Sequence, residues 1–429
     1  MKKSLLFILS AGACACSILA PRLASAGGIE LYEMATPDIG LASAGYSARA
    51  QDASTLFKNP AGMSFVEGTQ VQSGLQLLHG SIEFSPSSGT SARLGSSDGG
   101  NAIKPMPGGS IFAVTDLTDE LKVGLGTFSY FGLSEDYKNN WVGRYYVQKS
   151  MLVGLSLMPA ASYKVNDWLS VGGGPNVMFG YLKSDVAVNN PEPGFGDGQL
   201  KLKDNTWGVG GVGGLMIEPA KGTRIGLTYV SEVRLDFSDK PSFSDLGPIL
   251  STALNPSPKL DLGMTVPQSV MVGFYQELSS KWAIMADVGW QDWSHFGNVE
   301  VGVDTAGGVS QTVLDNLHYQ DTWHGALGAQ YQYSEQWRFS GGVAYDSSPV
   351  QDKNRTVTLP MGQTWRFGLG AEWQATQKLS LGAAYEFAWL GDMSVNQGSD
   401  LPLLGRGRVS GSYNDAWLAF LTLNLSYKF

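Results

Sequence analysis

The residues Trp417-Leu418-Ala419-Phe420-Leu421-Thr422-Leu423-Asn424-Leu425-Ser426-Tyr427-Lys428-Phe429 end the chain and decide its fold. Trp417, Ala419, Leu421, Leu423, Leu425, Tyr427 and Phe429 fall on one face, and Thr422, Asn424, Ser426 and Lys428 on the other. A period of two marks a strand with one apolar face. Alternation alone fits either the edge of a soluble sheet or a strand whose apolar face meets lipid.

Three further segments repeat the pattern and carry aromatic residues at their ends. Trp282, Ile284, Ala286, Val288 and Trp290 share a face, with Met285 and Asp287 opposite. Trp365, Phe367, Leu369, Ala371 and Trp373 do the same against Thr364, Arg366 and Glu372, as do Leu379, Leu381, Ala383, Tyr385, Phe387 and Trp389 against Ser380 and Glu386. A membrane barrel carries rings at both borders of its apolar band, which about 9–11 tilted residues cross. A soluble sandwich also alternates, but only such a band accounts for the recurring tryptophans. The reading is an all-β, transmembrane antiparallel barrel.

Composition agrees. Fifty-five Gly, 12 Trp, 17 Tyr and 18 Phe fit many short strands, tight turns and aromatic borders. Lys2 and Lys3, an apolar core from Leu5 to Leu19, and Ala24-Ser25-Ala26 form an expected signal peptide over residues 1–26. Cys14 and Cys16 both lie in that core, so the mature chain would hold no disulfide and no thiolate chemistry. A lipoprotein reading of Cys14 is disfavoured, because Ala11-Gly12-Ala13 lacks a bulky aliphatic residue three places before it. Removing Lys2, Lys3 and Arg22 leaves 26 basic residues against 38 acidic ones, a mature net charge of −12. That balance excludes nucleic acid as a partner. No run of about 18 or more apolar residues follows the signal peptide, so no transmembrane helix is expected.

Tight polar turns fall at Thr118 to Glu120, Asn166-Asp167, Ala220 to Gly222, Ser279-Ser280, Ser334-Glu335 and Ala375 to Gln377. Longer stretches lie near 86–107, 132–142, 188–201, 239–266, 292–319, 347–361 and 391–414. Six short turns and seven long extracellular loops imply about fourteen strands over residues 69–429, with both ends on the short-turn side. A Gram-negative outer membrane is the expected location, its lipid and the barrel-insertion machinery the expected partners, and a single chain the expected state. The terminal Phe429, with Tyr427 two places earlier, has the form in which such barrels present their last strand for insertion.

Residues 27–68 do not read as wall. Pro60 removes a backbone donor and restricts Asn59, making this stretch a turn rather than a strand. A barrel of this size is open unless something fills it, so the segment is placed in the lumen. The run Asp52-Ala-Ser-Thr-Leu-Phe-Lys-Asn-Pro-Ala-Gly-Met63 resembles the N-terminal hatch motif of the FadL/TodX family of outer-membrane transporters for long-chain fatty acids and hydrocarbons. Trp141-Val-Gly-Arg-Tyr145 followed by Pro159 resembles the family's aromatic-hydrocarbon branch. The resemblance extends, with falling specificity, to Phe429. It implies a fourteen-stranded barrel, a plugging hatch, and exit of a hydrophobic small molecule sideways through an opening in the third strand. Phe57, Asn59, Pro60 and Ala61 would then form the gate, with Asn59 to Ala61 at that opening.

A lateral route is physically sensible, because wetting each methylene of an apolar cargo costs about 0.8 kcal/mol. Closed barrels have no free edge, so an opening needs a local kink. Phe131-Gly132 in the third strand is the candidate, although Gly124, Gly126 and Gly132 would equally relieve crowding inside the barrel. Leu246, Ile249, Leu250, Ala253 and Leu254 have the spacing of one helical face, with Ser244 or Asp245 to cap it and Asn255-Pro256 to end it. This short helix either closes the barrel top or, as the resemblance implies, borders an apolar capture groove.

Two rival functions differ in class. An enzyme needs a positioned base, but the mature chain has only His79, His295, His318 and His324, and Asp321 lies three residues from His324, on the opposite face of a strand. A general diffusion porin would line its lumen with charges such as Arg144, Asp287, Arg338, Arg366, Glu372 and Glu386. Pairing of these charges with one another and with the hatch is the preferred reading. No His and carboxylate cluster has metal-ligand spacing, and no cofactor is expected. Arg144, Arg338 and Arg366 are the cations available to a fatty-acid carboxylate.

Overall fold

The computed structural model describes residues 32, 34–254, 257–296, 298–304, 310–400 and 405–429. The expected signal peptide, residues 1–26, and the Asn255-Pro256 helix end lie outside the described residues.

Fourteen antiparallel strands close into one barrel. In chain order they are β1 (Gln70–Ser81), β2 (Met106–Asp116), β3 (Leu121–Asp136), β4 (Lys149–Lys164), β5 (Leu169–Val188), β6 (Gly198–Ala220) and β7 (Thr223–Val230). There follow β8 (Ser269–Glu277), β9 (Trp282–Gln291), β10 (Thr322–Gln332), β11 (Trp337–Asp346), β12 (Thr364–Gln374), β13 (Leu379–Gln397) and β14 (Val409–Lys428). The chain-terminal strand pairs with the first without a register break, from Gln70 opposite Lys428 to Ser81 opposite Trp417. The alternating apolar face points outward: Leu75, Leu369 and Leu423 are 71%, 70% and 58% exposed. Large apolar side chains exposed in bands around a closed sheet are solvated by lipid.

Five of the six short turns share one chemistry. The N–H of Leu117, Val165, Leu278, Tyr333 or Ala375 donates to the carbonyl four residues on. The next side chain, Thr118, Asn166, Ser279, Ser334 or Thr376, accepts from two backbone N–H groups inside the turn. A hydroxyl or amide oxygen at this place satisfies donors that the ladder cannot reach. The sixth turn, between β6 and β7, uses Gly222 at φ 81° instead.

The seven connections on the other side run over 82–105, 137–148, 189–197, 231–268, 292–321, 347–363 and 398–408. Two of them, 189–197 and 398–408, are shorter than the sequence suggests, and the bounds of the others shift by several residues. β3 continues to Asp136, β13 to Gln397, and β14 starts at Val409, because these strands project past the aromatic border where polar residues occupy the outward face. The stretch read as one loop over 239–266 contains strands. Val233–Asp239, Lys259–Val266, Asn298–Asp304 and Ser310–Asn316 form a separate four-stranded sheet drawn from two loops.

The N-terminal segment packs against the inner face of the wall. Pro37–Leu41 and Pro60–Phe65 are 3₁₀ turns and Thr55–Lys58 a single helical turn. A Cβ at Gly74, Gly172, Gly226, Gly342 or Gly368 would collide with this segment's backbone. Inner-wall glycines therefore let two backbones touch. Gly124 and Gly126 receive the side chain of Leu56 in the same way, which is the crowding role rather than a kink.

Candidate functional site

The wall is broken between β2 and β3. Their ladder runs from Asp116–Lys122 to Ser110–Phe128 and stops there. Beyond it, Met106 to Gly109 pair only with β1, through Leu75 to Leu78. β3 continues only against β4, and its register slips between Ser129 and Phe131, leaving Tyr130 as the extra residue. A single bridge between Ile103 and Glu135 closes the gap above. A bulge bends its strand and unpairs it locally, and here the bend separates β3 from β2. The expected kink at Phe131-Gly132 thus lies immediately beyond the bulged Tyr130, which carries no Gly or Pro that would have marked it.

A cavity of about 250 Å³ fills the break, with Met34, Leu78, Met106, Phe131, Met151 and Val153 among its lining. Its polar groups are few, chiefly Gln76 and Ser129. Behind it sits Ala35, whose N–H donates to Gln76 Oε1 at 2.8 Å and whose carbonyl accepts from Ser110 Oγ at 3.0 Å. Ala35 holds φ at 55°, a left-handed conformation that costs a residue with a Cβ about 1 kcal/mol or more. Phe57 lies nearby, its ring 5.4 Å from Phe112 and 4.9 Å from Phe128.

Asn59, Pro60 and Ala61 do not lie at this opening. Asn59 Nδ2 donates to Ser47 O at 2.8 Å and to Leu215 O of β6 at 3.0 Å, while Asn59 Oδ1 accepts from Ala61 N–H. Pro60 and Ala61 face Gly172 of β5, and the Ala61 carbonyl accepts from Ser162 of β4. The motif anchors the segment to the wall across β4, β5 and β6, beyond the break. Met34 and Ala35 are the residues at the break, and no sequence signal singled them out.

Four of the expected lumen charges, Arg338, Arg366, Glu372 and Glu386, are ion-paired. Arg366 reaches Asp346 at 2.7 Å and Glu386 at 3.1 Å, and Asp346 also meets His324 Nδ1 at 2.7 Å. The His324 ring lies 4.4 Å from that of Tyr32. Arg338 pairs with Glu372, its neighbour in register. Asp287 accepts from the backbone N–H groups of Gly45, Tyr46 and Ser47. Within the segment, Arg49 bridges Asp38 and Asp52, and Lys58 also meets Asp38, all buried. Asp321 instead accepts from Trp290 Nε1 and Ser294 N–H, so it and His324 serve separate partners.

Arg144 is not a lumen residue. It lies in the 137–148 connection, where Nε meets Asp197 at 2.6 Å and Nη1 donates to Leu94 O at 2.9 Å and Trp141 O at 3.2 Å. Tyr145 donates to the same Asp197, and burial together with that carboxylate pushes its phenol up to about 12. One guanidinium thus ties three outer loops together. A lone arginine in a sequence motif says nothing about which partners the fold brings to it.

The loop helix forms at Pro248–Ala253 with Gly247, not Ser244 or Asp245, at its N-cap. Leu250 and Leu254 are buried and Leu246 packs beside them, whereas Ile249 is 60% exposed and Ala253 is exposed too. The helix is too short for the five residues to share one face.

A family model described as outer membrane protein transport protein (OMPP1/FadL/TodX) matches residues 17–429. A long-chain fatty acid transport protein of Salmonella typhi is 27% identical, over 93% of this chain and 95% of its own. Outer membrane protein P1 of Haemophilus influenzae is 25% identical, over 86% and 87%. Among solved structures, a Pseudomonas aeruginosa FadL homologue superposes with a TM-score of 0.83 at 21% identity, over 94% of this chain and all of that one. The toluene transporter TodX of Pseudomonas putida gives 0.64 at 17% identity, over 90% and 98%. The barrel is an outer-membrane one, and the chain belongs to the OMPP1/FadL/TodX family of outer-membrane transport proteins.

Proposed function

We propose that this protein takes up hydrophobic small molecules, captured at the outer loops and released sideways between β2 and β3 into the membrane. The observation that carries this reading is the interrupted β2–β3 ladder backed by an apolar cavity. A polar solute gains nothing from an exit lined by Met, Leu, Val and Phe, whereas an apolar one avoids the cost of the aqueous lumen. The N-terminal segment blocks the axial route, and its residues Met34 and Ala35 stand at the inner side of the break. Relatives named for long-chain fatty acids and for toluene support this class of cargo. Among the described residues, the cavity's lining holds no Lys or Arg to meet a carboxylate. A neutral hydrocarbon therefore suits it at least as well as an acid.

Deleting Tyr130 tests the route. Without the extra residue β3 can pair with β4 in one register and straighten toward β2. Uptake of labelled fatty acid and of labelled toluene should then fall together, with a heat-modifiable barrel still in the membrane. Parental uptake of both by a folded Tyr130 deletion would rule out the lateral route.

A further inference from the structure

The outward surface of β4, β5 and β6 changes character along its height. Register aligns Leu157, Val177 and Val209 in one row, then Leu155, Phe179 and Trp207 in the next such row toward the long loops. Trp207 is 64% exposed and its ring lies 5.1 Å from that of Phe179, so this row is the outer aromatic border. Further out, Lys183 stands directly opposite Lys203, and the next outward row brings together Lys149, Asp185 and Lys201. Leu182, Ser184, Leu200 and Leu202, which alternate with them, are buried on the inner side.

Lys149 pairs with Asp136 at 3.2 Å. Lys183, Lys201 and Lys203 have no ion pair among the described residues, and Lys203 lies over the Tyr181 ring at 5.8 Å. Like charges directly opposite on one sheet face repel. Asp185 stands in the outer row and Asp239 accepts from the Lys203 N–H at 3.2 Å, yet neither forms an ion pair with these three lysines among the described residues. Four residues at about 3.3 Å each along a tilted strand place Lys203 about 10 Å beyond the Trp207 border. Lysine side chains there bend back to the headgroup layer.

We propose that this patch docks a phosphorylated, multiply acylated glycolipid of the outer leaflet. A phosphate sits between Lys183, Lys201 and Lys203, and the acyl chains run along Leu155, Phe179 and Trp207. Charge complementarity at the headgroup level selects this occupant: an anion relieves the opposed lysines, and the apolar rows beneath receive chains that a free anion lacks.

The full chain in detergent micelles, titrated with diphosphoryl lipid A and read by native mass spectrometry, tests the docking. Replacing Lys183, Lys201 and Lys203 together by Gln should weaken binding on the order of a hundredfold, roughly fivefold per lysine at an anionic surface. The Lys203→Gln change alone should show the fivefold step. A charge-matched variant at the turn end, Lys164→Gln with Lys281→Gln and Lys378→Gln, should bind as the parent does. Dephosphorylated lipid A should bind the parent no better than the diphosphoryl form binds the triple variant. Unchanged binding by the folded triple variant, or equal binding of the dephosphorylated lipid, overturns the proposal. Inorganic phosphate binding as tightly as the lipid would assign the patch to a free anion and overturn it as well.

Discussion

Replacing Asp287 by Ala should release the N-terminal segment from the wall while the barrel stays closed. The Asp287 carboxyl group is 2% exposed and accepts from the N–H groups of Gly45, Tyr46 at 3.1 Å and Ser47 at 3.3 Å. Alanine leaves three buried donors unmet, at about 1–3 kcal/mol each. Allowing for partial rescue by water, the combined local cost is on the order of 3–6 kcal/mol. At about 1.4 kcal/mol per decade, the open state becomes roughly a hundred to ten thousand times more populated. The backbone of residue 287 keeps its places opposite Gly273 and Ala326, so the wall ladder is untouched. Hydrogen exchange at amides 45–47, measured by mass spectrometry in detergent, should accelerate by that factor. The heat-dependent shift of the barrel in electrophoresis should persist. The Asp287→Asn variant, which keeps one acceptor oxygen, should fall between parent and alanine. Parental exchange at these three amides in a folded Asp287→Ala barrel would refute the assigned anchoring.

Three other outcomes follow from the structure. Thr376→Ala removes an oxygen that accepts from Lys378 and Leu379 N–H groups, and should lower stability by about 1 kcal/mol in urea unfolding without moving the strands. Ile249→Asn should leave stability within about 0.5 kcal/mol, because the side chain is 60% exposed, yet reduce capture of hydrophobic ligand, whereas Leu250→Asn should cost about 2–3 kcal/mol of loop packing. Normal ligand binding by Ile249→Asn would leave this helix only a packing role. Arg144→Met removes the tie among three loops, so amides near 94 and 197 should exchange faster while those of β4 and β5 do not.

Most of the wall was legible in the sequence because each strand carries its own signal. Period-two alternation, tryptophan at many of the borders and a hydroxyl, amide or glycine in each tight turn are local features, and the six turns fall where Thr118, Asn166, Gly222, Ser279, Ser334 and Thr376 stand. Pro60 likewise marks its stretch as non-wall structure locally. What escaped is set by distant partners. Tyr130 looks like any strand residue, and its bulge shows only once β3 is set in register with β4 and β2. His324, Asp346, Arg366 and Glu386 come together only once four strands are in register. Arg144 was read as a lumen charge because its partners, Leu94 and Asp197, come from two other loops. The strands inside the 231–268 connection, Val233–Asp239 and Lys259–Val266, alternate with period two as wall strands do, so alternation alone does not tell a loop sheet from the wall.

The lateral route is tested most directly by a reversible staple across the break. A Cβ at Gly132 would stand 3.0 Å from Met106 Cε, so cysteines at 106 and 132 are within reach of a short, reducible bis-thiosulfonate linker. Uptake of labelled toluene and of labelled fatty acid should fall when the two cysteines are bridged and return on reduction, with each single-cysteine variant unaffected by the reagent. Equal uptake before and after bridging, with the cross-link verified by mass spectrometry, would contradict exit between β2 and β3.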